Sequence, residues 1–256
     1  MPAEGAITTP DAGTRAHAAP AVALHGVTHR FGDVVALEGL SLGARRDEVV
    51  AVVGPSGCGK TTLLELVCGL VAPSAGVVES APAVLMPQRD LLLPWLSALD
   101  NAALPLRVQG RSREAARAAA APLFAQLGLG GFEAARPYEL SGGMRQRVAF
   151  LRTLLAGKPV LCLDEPFAAL DAITRADVQA WLAGALAREP RTVLLVTHDV
   201  EEALVVADRV VVLSPRPGRV VAELRPLSPR PRAATDAEVV ELRAQALAAL
   251  LRGQTP

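Results

Sequence analysis

The chain has 256 residues, enough to bury the core of one large domain with a subdomain. Its 26 Lys and Arg balance its 26 Asp and Glu, so no overall field indicates nucleic acid or an acidic partner. Hydrophobic residues make up 51 %, yet no segment approaches the roughly 18 uninterrupted apolar residues of a membrane span. Three cysteines without a C-x-x-C pair favour a reducing compartment. We expect a soluble, cytoplasmic protein that reaches a membrane only through a partner.

The N-terminal part predicts a leader followed by β-structure. Residues 1–20 are rich in Ala, Pro and Thr and lack an apolar signal core, so we interpret them as a disordered leader. Segment 21–27 predicts a strand, 31–33 a turn, and 34–42 one or two more strands. Phe31 could stack on an adenine or pack in a core, and both interpretations stay open.

A glycine-rich loop follows the next apolar run. Residues 49–53 predict a buried parallel strand, and residues 63–67 predict the opening of a helix. The sequence between them fits G-x-x-x-x-G-K-[ST], the loop that wraps the phosphates of a nucleotide. Lys60 would reach the β- and γ-phosphates, and the Thr61 hydroxyl would bind Mg²⁺. The nucleotide-binding residues predicted here are Gly54, Pro55, Ser56, Gly57, Cys58, Gly59, Lys60, Thr61 and Thr62.

Cys58 is expected to be reactive. It lies inside this loop beside Lys60 and near a helix N-terminus, and both conditions lower the pKa of a thiol. We therefore expect alkylating agents to inactivate the protein and bound nucleotide to protect it.

The middle of the chain predicts a short strand and then a helical insertion. Residues 73–76 indicate a turn, and residues 83–86 a strand with Gln88 just beyond its end, where a side chain can reach a metal or a water. The run 91–96 is unusually apolar and is either core or a docking surface for another protein. From 97 to 129 the sequence is helical, so we expect a separate helical subdomain at about 90–158.

Two polar clusters follow the helical segment. Ser141 predicts a helix cap with Gly142 and Gly143 behind it, a start that offers a second anion site or serves only as a cap. Residues 160–163 predict a buried strand that ends in Asp164 and Glu165, where α/β folds bind ligands. Asp164 suits Mg²⁺, and Glu165 could polarise an attacking water.

The next part of the chain predicts a further strand that is followed by a candidate site residue. Asp171 leads into an amphipathic helix, and residues 192–196 form a buried strand. His198 follows that strand in the register of Gln88 and Asp164, which favours a contact with a γ-phosphate.

The C-terminal part predicts a hairpin, a linker and a helix. Two strands flank a turn at 215–218, and the main domain is expected to span 21–225. Residues 226–256 would be a proline- and arginine-rich linker and a last helix, which starts at a capping box from Thr235 to Glu238.

In this order, the motifs resemble those of the ATP-binding subunit of ATP-binding-cassette (ABC) transporters. The resemblance runs from about Val22 to the C-terminus and rests on these residues: Gly54 to Thr61, Gln88, Leu140 to Met144, Asp164-Glu165, Leu170-Asp171 and His198. It implies an α/β P-loop NTPase cassette with a mostly parallel sheet core, an N-terminal antiparallel β part and an inserted helical subdomain. It also implies ATP and Mg²⁺ as cofactors.

The resemblance further implies how such a chain works. Two copies would close head to tail on ATP, each site pairing one phosphate loop with Ser141, Gly142 and Gly143 of the other copy, while Asp171 passes information between the sites. The catalytic and metal-binding roles would fall to four residues: Glu165 orients the water, Asp164 and Gln88 hold Mg²⁺, and His198 contacts the γ-phosphate.

Three positions depart from the family pattern. Asp47 stands where a glycine is usual, Met144 replaces the common glutamine of the signature, and Ala168 replaces a small serine or glycine. None of them removes a catalytic group, so we expect an active ATPase.

A closer likeness is to importers of nitrate, sulfonates, taurine and thiamine-precursor pyrimidines. It rests on Leu93-Pro94-Trp95 followed by Asp100-Asn101, on Met144, and on Pro229 to Arg232 before a short helix. It implies membrane-spanning permease subunits as partners, with an extracytoplasmic substrate-binding protein acting indirectly. The chain would lie at the cytoplasmic face of the cell membrane, attached through the permease, with no nucleic acid partner.

Three alternatives stay open beside import. A soluble ABC ATPase of DNA repair or translation would carry long coiled coils, zinc modules or two cassettes, whereas here Ser141 comes only 81 positions after Lys60. A regulatory cassette that binds ATP without hydrolysis is disfavoured by Glu165 and His198. An exporter cassette is harder to exclude, because exporters also keep cassette and membrane subunits on separate chains.

Overall fold

A computed structural model describes residues 19–252, so most of the predicted leader and the last four residues lie outside the described part. A small antiparallel sheet comes first. Strand β1 (Val22–Phe31) turns at Gly32-Asp33 into β2 (Val34–Ala44), and a later strand, β4 (Ala75–Ser80), pairs with the other edge of β1. The predicted N-terminal β part is thus present.

The central sheet has six strands in the order β5, β6, β7, β3, β8, β9. All neighbouring pairs are parallel except β8 with β9, which form the predicted hairpin. Their bounds are β3 Val49–Val53, β5 Ala83–Met86, β6 Val160–Asp164, β7 Thr192–Thr197, β8 Arg209–Leu213 and β9 Val220–Leu224. Runs rich in Val and Leu suit such strands, because helices or a second sheet cover both faces of a parallel sheet.

The helices lie in two layers around this sheet. Their bounds are α1 Lys60–Val67, α2 Ala98–Val108, α3 Arg113–Gln126, α4 Gly142–Leu155, α5 Ala172–Arg188, α6 Val200–Val206 and α7 Ala237–Arg252. Alternate residues of β3 face opposite layers: Val50 and Val52 pack with α1 and the antiparallel sheet, whereas Ala51 and Val53 pack with the other helices. The segment between β5 and β6 holds α2, α3 and α4, the expected helical insertion.

Two local expectations are wrong. Strand β4 begins at Ala75, inside the predicted turn, and its mostly exposed residues lack the apolar signal by which a strand is recognised. The capping box at Thr235 does not form, because α7 starts at Ala237 and the Glu238 carboxylate instead accepts hydrogen bonds from the amides of Leu227 and Ser228.

Asp47 occupies a position where glycine is favoured. Its φ is 64°, in the left-handed region, which Asp and Asn tolerate better than most residues. Its amide donates to the Thr192 hydroxyl at 3.0 Å, so the turn before β3 is fixed to β7.

Between residues 19 and 252, none of the helices combines the length and the apolar character needed to cross a bilayer.

A buried arginine joins the two sheets. Arg209, 6 % exposed at the start of β8, donates to Glu48 at 2.9 Å and to Glu223 at 3.3 Å, and also to the carbonyl of Gly43 in β2. Burial raises the pKa of the Glu48 carboxyl, but hydrogen bonds from Arg209 and from the Arg45 amide outweigh it and leave the pKa below its usual value.

Removing this arginine should destabilise the fold. We expect Arg209→Met to lower the free energy of unfolding by about 3–5 kcal/mol, because Glu48 keeps a buried charge without its partner. Arg225→Ala is the matched control, since Arg225 is 55 % exposed and pairs with Glu223 only at 3.8 Å; its effect should stay below about 1 kcal/mol. Urea titration measures both, and equal effects would contradict the buried role.

Candidate nucleotide-binding site

Parallel pairing brings the predicted site residues to one edge of the central sheet. In the register, Val53 lies beside Thr197, and Asp164 lies beside Val196. The loop after β3, the acidic pair at the end of β6 and the histidine after β7 therefore meet where open α/β sheets bind ligands.

The phosphate loop, residues 54–61, is built around a buried lysine. The Lys60 ammonium donates to the carbonyls of Gly54 at 2.8 Å and Pro55 at 3.1 Å, and so braces the start of the loop from inside. Gly59 has φ 102°, and a Cβ there would lie 2.7 Å from Leu37 and 2.9 Å from the Ala36 carbonyl, so only glycine fits. Helix α1 begins directly behind, with its first amides free for an anion.

The loop forms the floor of an open cavity of about 430 Å³, within the range of small-molecule sites. It is lined by Phe31, Val34, Ala36, Ser56, Gly57, Gly59, Lys60, Thr61, Thr62, Gln88, Asp164, Glu165 and Arg216. Phe31 lies on the rim of the cavity, 52 % exposed and in edge contact with His29. It is therefore not a core residue.

Oxygen ligands suited to a divalent cation converge in this cavity. The Thr61 hydroxyl donates to Asp164 at 2.8 Å, and Gln88 lines the same wall. Burial raises the pKa of Asp164, with the Thr61 hydrogen bond opposing it. A hydroxyl, a carboxylate and an amide oxygen are hard ligands that fit Mg²⁺. When bound, such an ion neutralises phosphate charge.

Glu165 is held in an unusual backbone conformation. Its φ is 50°, and its amide donates to the Val196 carbonyl at 2.9 Å. The carboxylate contacts His198 Nδ1 at 2.8 Å and accepts from the Thr197 hydroxyl at 3.4 Å. Glu165 lines the cavity, where its carboxylate can take a proton from a water, whereas His198 is not among the lining residues.

Seven predicted binding residues do not line the cavity: Gly54, Pro55 and Cys58 within the phosphate loop, and Ser141, Gly142, Gly143 and Asp171 at two helix starts. Ser141 caps α4 by accepting from the Met144 amide at 3.2 Å, with Gly142 and Gly143 in the first turn. Asp171 caps α5 through the Thr174 amide at 3.1 Å. Within residues 19–252 the chain alone does not bring Ser141 to its own phosphate loop, because the cavity is lined without it.

Comparison with known proteins identifies the family. The family model for ABC transporters matches residues 37–168. The chain belongs to the ABC transporter family. It is therefore an ABC-type ATPase, and its nucleotide is ATP.

Curated relatives cover most of the chain. An aliphatic sulfonates import ATP-binding protein from Rhodococcus jostii is 46 % identical over 90 % of this chain and 93 % of its own. A formylaminopyrimidine import ATP-binding protein from Halalkalibacterium halodurans is 45 % identical over 71 % of this chain and 74 % of its own. A taurine import ATP-binding protein from Burkholderia thailandensis is 44 % identical over 75 % of this chain and 78 % of its own.

A solved structure agrees with the fold. The dimeric, post-hydrolysis state of an ATP-binding cassette bound to ADP and Pi superposes with a TM-score of 0.73 at 30 % identity. It covers 80 % of this chain and 98 % of that one. The predicted ABC cassette fold is confirmed.

Sequence reasoning missed the residues that complete the cavity wall. Val34 and Ala36 come from β2, and Arg216 comes from the β8–β9 turn. They lie far from the motifs in sequence. The sequence signal for Arg216 is the cluster of Pro, Arg and Gly from 215 to 219, which by itself predicts only a turn.

The expected reactivity of Cys58 does not fit the structure. Its side chain is 1 % exposed, and burial raises its pKa more than nearby Lys60 lowers it. Cys68, by contrast, is partly exposed at the end of α1, and a hydrogen bond from Cys162 lowers its pKa.

Alkylation should therefore begin at Cys68. A lowered pKa supplies more thiolate at neutral pH, and partial exposure admits the reagent. We expect iodoacetamide to label Cys68 before Cys58 or Cys162 in the native protein, as measured by peptide mass mapping. The early phase of labelling should be absent in Cys68→Ala. Faster labelling of Cys58 would restore the original expectation.

A buried carboxyl group lies behind the catalytic edge. Glu202, 6 % exposed in the first turn of α6, has one carboxylate oxygen without a hydrogen-bond partner in the described structure. Burial raises its pKa to about 7, assisted by Asp199 and Glu165 and opposed by Thr197 and Arg175.

This group should make stability depend on pH. Above about pH 7 the folded state carries a buried charge that the unfolded state solvates, so its cost is present at pH 8 and disappears below pH 4.5. We expect Glu202→Gln to raise the free energy of unfolding at pH 8 by up to about 3 kcal/mol, and less at pH 5. Glu201→Gln is the control, because Glu201 pairs with Arg243 at the surface. A gain independent of pH would contradict this.

Proposed function

We propose that the chain is the ATP-binding and hydrolysing subunit that energises import of a small molecule through a membrane permease. The observation that carries the proposal is the 44–46 % identity to import ATP-binding proteins over most of the chain. The relatives are named for sulfonates, taurine and a formylaminopyrimidine, and we propose a substrate of these classes.

The site residues suggest a division of labour. Lys60 and the amides of the phosphate loop would bind the ATP phosphates, and Thr61, Gln88 and Asp164 would hold Mg²⁺. Glu165 would accept the proton of the attacking water, with His198 and the Thr197 hydroxyl fixing its carboxylate. Phe31 on the rim would stack on the adenine.

We propose that a second copy of the chain completes each site. Ser141, Gly142 and Gly143 lie outside the lining of their own cavity but expose a capped helix start, which suits an anion. The solved neighbour is dimeric, which supports a head-to-tail pair. Asp171, at the start of α5, would link the two sites.

The permease would contact an apolar loop, residues 91–96. Leu91 and Trp95 are 60 % and 68 % exposed, while Leu92 is buried beneath them, so the run is partly core and partly surface. Asn101 holds this loop through both polar atoms of its amide, which accepts from the Leu93 amide at 2.8 Å and donates to the Leu93 carbonyl at 3.1 Å. Because the loop is already rigid, it loses little conformational entropy when a partner binds its apolar side chains.

Such a chain would lie at the cytoplasmic face of the membrane, attached through the permease. An extracytoplasmic binding protein would deliver the substrate to that permease.

Two arginines also hold the apolar loop by donating to its backbone carbonyls. Arg136 donates to the carbonyl of Trp95, and Arg152 donates to that of Leu91 at 2.9 Å.

The test is affinity purification of tagged Glu165→Gln protein from detergent-solubilised membranes with ATP and Mg²⁺. Loss of the base should lower ATP turnover by about 100-fold or more and retain ATP binding, so the closed dimer persists. We expect a second copy and a multi-spanning membrane protein to copurify.

Lys60→Ala with the same tag is the matched control, and it should neither bind ATP nor trap the dimer. Recovery of ribosomes or DNA without a membrane protein would contradict the import function and leave the ATPase chemistry standing. Normal turnover in Glu165→Gln would contradict the assignment of the base.

A further inference from the structure

The turn between β8 and β9 is fixed against the phosphate loop. The amide of Gly218 donates to the Ala36 carbonyl at 2.9 Å, and the Gly218 carbonyl accepts from the Glu38 amide at 3.2 Å. A Cβ on Gly218 would lie 2.2 Å from the Cys58 carbonyl, so the turn touches the backbone of the loop directly. The Ser214 hydroxyl braces the turn by donating to the Pro217 carbonyl at 2.8 Å.

This turn extends an arginine into the ATP cavity. Arg216 Nε donates to the Gly57 carbonyl at 3.0 Å, and the guanidinium lines the cavity together with Lys60 and Phe31. A Cβ on Gly57 would lie 3.2 Å from Arg216 Nη2, so the glycine leaves room for the guanidinium.

Arg216 differs from the other arginine of the same turn. Arg219 forms an ion pair with Glu38 at the surface. In the part of the chain that the structure describes, no carboxylate lies within ion-pairing distance of Arg216. Its two terminal nitrogens are thus positioned beside an anion cradle without an anionic partner.

We infer that Arg216 binds the phosphate chain of ATP as a second cation beside Lys60. The inference rests on the proposed function, since it takes ATP as the ligand of this cavity. A guanidinium offers a planar pair of donors that matches two phosphate oxygens, whereas the Lys60 ammonium is a compact point charge. Lys60 also shares its N–H donors with two loop carbonyls, so Arg216 adds free donors and a second positive charge beside the loop.

The anchoring of Arg216 favours this contact. The Nε–H anchor on Gly57 and the fixed turn hold the guanidinium before ATP arrives, so little side-chain entropy is lost on binding. Because the anchor is the phosphate loop itself, Arg216 should respond to the number of phosphates and not to the nucleoside.

Calorimetry on the full chain tests the inference with ATP, ADP and AMP. Arg216→Ala should weaken ATP binding by about 10- to 100-fold, the range of charge-assisted hydrogen bonds, and should change AMP binding by less than about threefold. Arg216→Lys should recover part of the loss, since charge returns without the fork. Arg219→Ala, from the same turn but outside the cavity lining, should bind all three nucleotides like the wild type.

Each contrary outcome has a distinct meaning. Unchanged ATP binding in Arg216→Ala overturns the inference. An equal loss for ATP and AMP also overturns it, because Arg216 would then only position the loop or contact the nucleoside. The melting temperature without nucleotide, compared with Arg219→Ala, detects a collapsed turn. Failure of the wild type to bind ATP, or normal binding in Lys60→Ala, would instead refute the proposed function.

Discussion

Strand β3 is the constraint on which the rest of the structure depends. Its five residues are all buried, it pairs in parallel with β7 and β8, and its two faces pack against separate layers. Because both faces of this strand are buried, all five of its side chains are apolar, and polar side chains resume only after it ends. The phosphate loop begins at that point, and its position follows from the sheet.

Charge at this edge is organised in pairs that bridge elements. Thr61 of α1 is hydrogen-bonded to Asp164 of β6, and Glu165 is hydrogen-bonded to His198 beyond β7. Each hydrogen bond compensates part of the cost of burying a carboxylate. The same hydrogen bonds fix these side chains relative to one another. They therefore both position the carboxylates and stabilise their buried charge.

The surfaces outside the cavity follow a similar rule. Two exposed residues are proposed to meet other chains, and each is held by a hydrogen bond. The Trp95 carbonyl accepts from the Arg136 guanidinium, and the Ser141 hydroxyl accepts from the Met144 amide. A cassette that transmits motion needs such surfaces to be rigid, because slack in the contact would absorb the displacement. Both surfaces lie in the segment between β5 and β6, which holds α2, α3 and α4.

The sequence by itself determined the family, the strands, the phosphate loop and the acidic strand end, because these signals are local: apolar runs, glycines and polar residues at fixed spacing. It failed for β4, whose exposed residues carry no apolar period. Only the tertiary structure decided that Cys58 is buried, that Phe31 is on a rim, and that Arg216 enters the cavity. All three features depend on which distant segment of the chain packs against the residue. The sequence near the residue carries no signal of that packing.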